Sequence, residues 1–249
     1  MLDSTRGSIQ GFVKIIDTDT KEILVDTHND VLYGNISLAL AQSLIGNSDN
    51  FLSYIAFGNG GAYVGTTGAI SYKSSMGGQN SLAKNPRANL YNTIYVKKIS
   101  NNSTSTIDIN PTSKSYIPAE NFSTNYEDII IDVTLSYLEP STAISQSLID
   151  NSAFLGYPGS TTTSGQSTSD TFVFNEIGLF AGSAGDSIFS GSATATANDV
   201  NNFVNQSLST SGVASKLMLT HVIFHPIQKT FNRSIEIIYT LRIQMGTVL

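Results

Sequence analysis

The sequence predicts an all-β fold: an antiparallel β-sandwich with one short helix and long polar loops. Three observations lead there. Runs rich in Val, Ile, Tyr and Phe recur between clusters of Gly, Asn, Asp and Ser. From Phe231 to Ile243 every odd position except Arg233 is apolar, a period of two that marks a strand with one buried face. No strand–helix rhythm of the kind that builds a parallel sheet is present.

The elements follow in chain order. "GFVKIIDTDTKEILVDT" (11–27) places β-rich runs on both sides of Asp17-Thr18-Asp19-Thr20, which reads as a hairpin. Asp17 and Asp19 resemble the start of a calcium loop, but the Gly and closing Glu of that pattern are missing, so the reading is a turn. "YGNISLALAQSLIGN" (33–47) is the helix. Ile36, Leu40, Ser43 and Leu44 fall near one face, with Leu38 and Ala39 beside it, Asn35 as N-cap and Gly46-Asn47 as the stop. Its apolar face is expected to pack on a sheet.

"FLSYIAFGNGGAYVG" (51–65) is a strand entering Gly58-Asn59-Gly60-Gly61. A phosphate-binding reading fails, because no Lys-Ser/Thr follows, the spacing is not GxGxxG and no helix pattern comes next. A sharp turn using positive φ explains the glycines. "NLYNTIYVKKIS" (89–100) and "YEDIIIDVTLSYLEP" (126–140) are strands. The stretch between them reads as a long loop or arm with a short strand around Ile107 and Ile109. "KLMLTHVIFHPIQ" (216–228) is a strand joined near Lys229-Thr230 to the alternating one, so the two are expected to pair antiparallel.

The chain reads as one domain, 1–249, with inserts at about 100–125, 156–171 and 182–214. Residues 156–171, "GYPGSTTTSGQSTSDT", are too poor in bulky apolar groups to sustain a core and are expected to be ordered on a neighbouring subunit. In the third insert, Phe203, Val204 and Leu208 allow at most a short helix.

Hydrophobic residues make up 40% and charged residues only 13%, against about 25% in ordinary soluble domains. The surface is therefore largely neutral and polar, which suits packing against copies of itself or other proteins. With a net charge of −6 and no basic run longer than Lys97-Lys98, direct nucleic-acid binding is not expected. The absence of cysteine excludes disulfides and thiolate chemistry. No basic segment followed by an apolar stretch opens the chain, so no secretory signal is expected. The apolar run "ISLALAQSLI" is too short to cross a bilayer.

Catalytic constellations are not legible. His221 and His225 are four apart, but on a strand that spacing is roughly 13 Å, beyond the reach of one ion. No G-x-S-x-G occurs, and no carboxylate pair such as a glycosidase needs stands out. No enzyme activity, cofactor or metal site is expected.

"FNEIGLF" (174–180) is the unusual segment. In an uninterrupted strand Glu176 would share a face with Phe172, Phe174, Gly178 and Phe180, and a carboxylate there is costly without partners. A β-bulge at Asn175-Glu176 could turn it away. Alternatively, backbone N–H groups and an arginine, Arg233 or Arg242, could hold it. Gly178, with no side chain, allows close approach. In either case Asn175, Glu176 and Gly178 are architectural, as are Gly58, Gly60 and Gly61.

"FNEIGLF", followed by a polar stretch and the "RSIEIIYTLRIQ" strand, resembles virion proteins of tailed bacteriophages. The Asn-Glu-Ile-Gly-Leu core is similar to the attachment domain of tail-fibre and baseplate proteins. "IAFGNGG" and "IIDTDTKEILVDTHNDVLYGNISLALAQSL" resemble a related group of phage neck, tail and baseplate proteins. The resemblance implies a non-enzymatic structural component of the virion, made in the host cytoplasm. It would act by symmetric assembly with copies of itself and other virion proteins, without direct nucleic-acid or membrane binding or a small-molecule ligand. The alternative is a host-recognition or carbohydrate-binding module on the particle surface, with tyrosines of "YNTIY" and "GYPG" forming its site.

Overall fold

The computed structural model describes residues 5–47, 50–76, 83–85, 87–101, 113–118, 125–137, 139, 171–182, 203, 216–230 and 232–247. The inserts expected at 156–171 and 182–214 lie outside the described residues except for Thr171, Gly182 and Phe203, and so does the short strand expected around Ile107 and Ile109.

Among the described residues the fold is all-β with one helix of 12 residues, as the strand patterns imply. In chain order the elements are β1 (Thr5–Asp17), β2 (Ile23–Val31), α1 (Tyr33–Leu44), β3 (Phe51–Gly58), β4 (Ala62–Val64) and β5 (Ile70–Tyr72), then β6 (Thr93–Lys98), β7 (Ser100–Asn101), β8 (Ser113–Tyr116), β9 (Tyr126–Leu135), β10 (Thr171–Gly182), β11 (Lys216–Thr230) and β12 (Ile235–Thr247). Ten strands form one sheet in the order β6-β3-β10-β11-β2-β1-β12-β9-β8-β7, and β4 and β5 form a separate hairpin. The pairings are antiparallel except β7 with β8. Both ends of the strand order come from a single segment, 93–101, interrupted only by Ile99, whose N–H donates to Ser53 O. The sandwich is thereby closed into a barrel-like form, which leaves few free sheet edges.

The alternation read in the last strand sets its orientation. Ile235, Ile237, Tyr239 and Leu241 are buried and face the interior with Val13, Ile15, Ile131 and Val133. Against them, from the other wall, pack Phe57, Phe174, Ile177, Leu179 and Phe224. The rings of Phe57 and Phe174 meet edge to face at 5.5 Å, a favoured arrangement of aromatic quadrupoles.

The expected pairing of the last two strands is corrected. β11 pairs with β10 and β2, β12 with β1 and β9, and two strands lie between them. Each contributes to the same interior from a different wall. Their connection is pinned to the β1–β2 turn instead of closing a hairpin. Arg233 is ion-paired with Asp17, and Thr18 N–H donates to Ser234 O at 3.0 Å.

The β1–β2 hairpin forms as read. Asp17 Oδ1 accepts the N–H groups of Asp19 and Thr20, both at 2.9 Å. The Thr20 bond is the main reason its carboxyl is lowered to about 2, with burial opposing and Arg233 assisting. The aspartate is thus used inside the turn, as Asx chemistry dictates.

The helix is also where it was expected, but Asn35 is not its cap. Leu32 holds that position without a side-chain bond. Asn35 is fully buried one turn in, donating to Met218 O and Asn85 O and accepting the Asn85 N–H. Tertiary partners outcompeted the local cap. Gly46, at φ +81°, ends the helix as expected. Ile36 and Ala39 pack on Leu217 and Leu219, while Leu44, assigned to the buried face from sequence, is 87% exposed.

Candidate functional site

The two segments singled out in the sequence meet. β3 and β10 are neighbours, with Glu176 opposite Gly58. Beyond Gly58, β3 ends, and the side chains of Asn175 and Glu176 replace the missing ladder. Glu176 Oε1 accepts the N–H groups of Gly60 at 2.9 Å and Asn92 at 3.0 Å. Its Oε2 accepts Tyr91 N–H at 3.1 Å and lies 3.0 Å from His221 Nε2. Asn175 Oδ1 accepts Gly61 N–H at 2.9 Å, and its Nδ2 donates to Asn59 O at 3.0 Å. Two consecutive side chains therefore staple two loops, 59–61 and 91–92, to one strand.

Both solutions anticipated for Glu176 contribute, with one correction. Phe172 and Phe174 face the interior, and so do Ile177 and Leu179. The strand changes phase at Asn175-Glu176, and the pairing with β11 shifts register between Phe174 and Glu176. This irregularity turns the carboxylate off the interior face, as a bulge does. It does not reach solvent, because the glycine loop covers it and Glu176 is completely buried. No arginine is involved. Arg233 pairs with Asp17, and Arg242 makes a bidentate pair with Asp128 at 2.8 Å.

The side-chain partner is His221, on β11. Glu176 lies opposite Ile223, so His221 is its diagonal neighbour across the strand pair. His221 Nδ1 accepts the N–H of Met76 at 2.9 Å. Nε2 must then carry the proton and donate it to Glu176, which fixes the tautomer. Both residues are fully buried, and the Tyr91 ring lies 5.9 Å from the imidazole. Both carboxylate oxygens and both ring nitrogens are thus occupied by groups of the chain itself.

The glycines serve close approach. Among the described residues positive φ occurs at Lys21, Gly46 and Gly68, so the positive φ expected of Gly58, Gly60 and Gly61 is corrected, while 59–61 do form the bend that joins β3 to β4. A Cβ on Gly58 would lie 2.4 Å from Glu176 Oε1 and 2.7 Å from Asn92 O. One on Gly60 would lie 2.8 Å from Asn92 N. Only bare backbone lets the loop come near enough to donate to the carboxylate. Gly61 packs against Ile223 and Asn175, and Gly178 admits Leu90, 3.0 Å from where its Cβ would stand.

The remaining candidates are dispersed. His225 is exposed and its Nδ1 lies 3.0 Å from Tyr72 OH. Among the described residues no group of three or more His, Cys, Asp or Glu is placed to hold a metal.

A second polar cluster, not anticipated from sequence, sits where β6, β11 and the segment after β9 converge. Lys97 is fully buried, with Nζ 2.6 Å from Glu139 Oε2, and Tyr95 OH donates to Glu139 Oε1 at 3.4 Å. Burial lowers Lys97 below its ordinary value, opposed by Glu139. Lys229, also buried, donates among the described residues to Thr230 O at 3.4 Å and is lowered to about 8, chiefly by burial, with Glu139 opposing and Lys97 adding to the fall. Their signal in the sequence was weak, since lysines at strand ends ordinarily reach water.

Neither a family model, nor a curated protein, nor a solved structure matches the chain.

Proposed function

We propose that this protein is a structural component of a tailed-phage virion, of the neck, tail or baseplate type, that acts by symmetric protein–protein assembly and catalyses no reaction. The observation that carries the reading is the Glu176–His221 pair. In a general base or nucleophile relay, one oxygen or one ring nitrogen faces a substrate space. Here every polar atom of the pair is spent on Gly60, Tyr91, Asn92, Met76 or the partner side chain. The pair holds loops in place. Support also comes from the motifs "FNEIGLF" and "FGNGG", whose resemblance to phage virion proteins rests on residues that join in one staple, and from the low charge content of the chain.

The test is size-exclusion chromatography with light scattering, followed by electron microscopy of the purified protein. Defined multimers of one symmetry are expected. A strictly monomeric protein that binds or cleaves glycans would overturn the reading.

One observation favours host-glycan recognition as a second reading. Tyr63, Tyr72 and Tyr91 are 40%, 50% and 38% exposed, and Lys73 Nζ lies 4.2 Å above the Tyr91 ring. Glycan-array binding that disappears in Tyr72→Ala and Tyr91→Ala would select it.

A further inference from the structure

Val222 and Phe224 of β11 face the interior, so His221 and His225 face outward. The chain that leaves β5 crosses them as a strap, and five consecutive residues fasten it. Tyr72 OH lies 3.0 Å from His225 Nδ1. Lys73 N–H donates to Gly61 O at 2.8 Å. Ser74 O accepts Tyr91 OH at 2.7 Å, and Ser75 Oγ donates to Asp30 on β2. Met76 N–H donates to His221 Nδ1 at 2.9 Å. Tyr72 and Ser74 are exposed and Lys73, Ser75 and Met76 half-buried, so the strap lies at the surface, above the completely buried His221 and Glu176.

Three of these fastenings end on groups that titrate in acid: His225, Asp30 and His221. They are not equivalent. The hydroxyls of Tyr72 and Ser75 both donate and accept. When His225 Nδ1 or the Asp30 carboxyl takes up a proton, the hydroxyl reverses its role and the bond persists. Met76 offers a backbone N–H, which can only donate. A proton on His221 Nδ1 sets N–H against N–H. With Nε2 already directed at Glu176 at 3.0 Å, the ring has no second acceptor to turn towards the strap.

We propose that residues 72–76 form an acid-released strap, closed while His221 Nδ1 accepts the Met76 N–H and let go at that end when this nitrogen takes up a proton. In the closed form Nδ1 is filled by the amide; in the open form it is free to bind a proton. The open form therefore holds more protons, and acid shifts the balance towards it. The groups around the imidazole accommodate this. Glu176 faces it from β10, and Asp30 is its cross-strand partner on β2. The Tyr91 ring lies 5.9 Å away, with Lys73 Nζ 4.2 Å from that ring, and His225 follows on the same strand. An imidazolium formed here faces two carboxylates. Glu176 is the poorer place for the proton, because N–H groups of Gly60, Tyr91 and Asn92 already point at its oxygens. Release lifts Met76 off the cluster containing Leu90 and Phe180 and opens His221 to solvent. The surface around Tyr91 then differs between neutral and acid conditions.

Hydrogen exchange read by mass spectrometry on the full chain tests this. Peptides covering 72–76 are compared at about pH 7.5 and about pH 5.5, either side of the ordinary imidazole titration, after correction for intrinsic exchange. Peptides of β12 serve as the reference. Protection of the Met76 amide is expected to fall about tenfold or more at the lower pH, the loss that goes with one broken hydrogen bond, while β12 stays protected. His221→Asn puts an amide oxygen in the place of Nδ1 and takes up no proton. Its strap is expected to be equally protected at both pH values, with a melt recorded to show that it folds. His225→Gln is expected to keep the parent's pH dependence. Equal strap protection at the two pH values in the parent overturns the proposal without recourse to any variant. A loss shared by β12 overturns it too, since the opening is then global. So does a pH dependence that survives in folded His221→Asn or disappears in His225→Gln, because the sensing group then lies elsewhere.

Discussion

Glu176 Oε2 and His221 Nε2 lie 3.0 Å apart, completely buried, on neighbouring strands at diagonal positions. The remaining carboxylate contacts are backbone N–H groups, from Gly60, Tyr91 and Asn92. An all-donor shell of this kind has a definite consequence. Any substitution that places a donor at either oxygen sets N–H against N–H.

Glu176→Gln makes that substitution with almost no change in shape. Its NH₂ group would face Tyr91 and His221, or Gly60 and Asn92. Unpaired buried donors cost about 1–3 kcal/mol, more where a charged group is lost. A corresponding fall in the urea unfolding midpoint is expected, with the slope unchanged. Unaltered folding combined with the loss of a measurable enzymatic activity would refute the architectural role.

Gly58→Ala tests the same staple from the opposite side. The added methyl would stand 2.4 Å from Glu176 Oε1 and 2.7 Å from Asn92 O. Overpacking of a tight site typically costs about 1–3 kcal/mol. Gly178→Ala meets nothing nearer than 3.0 Å, the end of the flexible Leu90 side chain, and is expected to cost less. Thermal melts of the two variants check the order; a reversed order would show that the loop can retreat from the carboxylate.

What the sequence disclosed here depended on range. The alternation of Ile235, Ile237, Tyr239 and Leu241 is a local pattern, and it identified the buried face of β12 correctly. The residues of the staple were also visible, since Asn175-Glu176 among phenylalanines and four residues rich in glycine both break a pattern. That they belong together was not visible, because it follows from β3 lying beside β10, more than a hundred residues apart. His221 was weighed only against His225, its neighbour in sequence, whereas its partner is set by the register of β10 on β11. Asn35 shows the same limit: a helix start beside an Asn suggests a cap, but Met218 O and Asn85 O claimed the side chain. The pairing of β11 with β12 failed because short connections between strands favour hairpins, and nothing local announces that Arg233 anchors this one to Asp17.

Ile237→Asp probes the interior directly. Ile237 is completely buried between Ile15 on β1 and Val133 on β9 in the ladder. Burying an isoleucine contributes about 1.5–3 kcal/mol, and an unpaired carboxylate in its place adds a desolvation cost of several kcal/mol more. Against typical stabilities of about 5–15 kcal/mol, little folded protein is expected. Soluble expression with a cooperative melt would show that the buried face of β12 is misassigned.

Lys229 gives the stability of the protein a distinctive dependence on alkaline pH. Burial holds its amine at about 8 against 10.5 for the free side chain. Below pH 8 both folded and unfolded chains carry the proton, and the folded state bears the whole cost of burying the charge. Between pH 8 and about 10.5 the unfolded chain holds more protons, so stability rises with pH through that window. Lys97, lowered by the same cause, acts in the same direction. Above pH 10 the trend reverses, because burial raises Tyr95 and Tyr239, and the unfolded chain then releases tyrosyl protons that the folded one retains. Urea midpoints are expected to climb from pH 7 to 9.5 and fall beyond pH 10. In Lys229→Met the climb should be shallower and the value at pH 7 higher than in the parent, since a buried charge is replaced by an apolar chain of similar length. Parallel profiles for parent and variant would show that the Lys229 amine is hydrated in the folded state and is not the source of the slope.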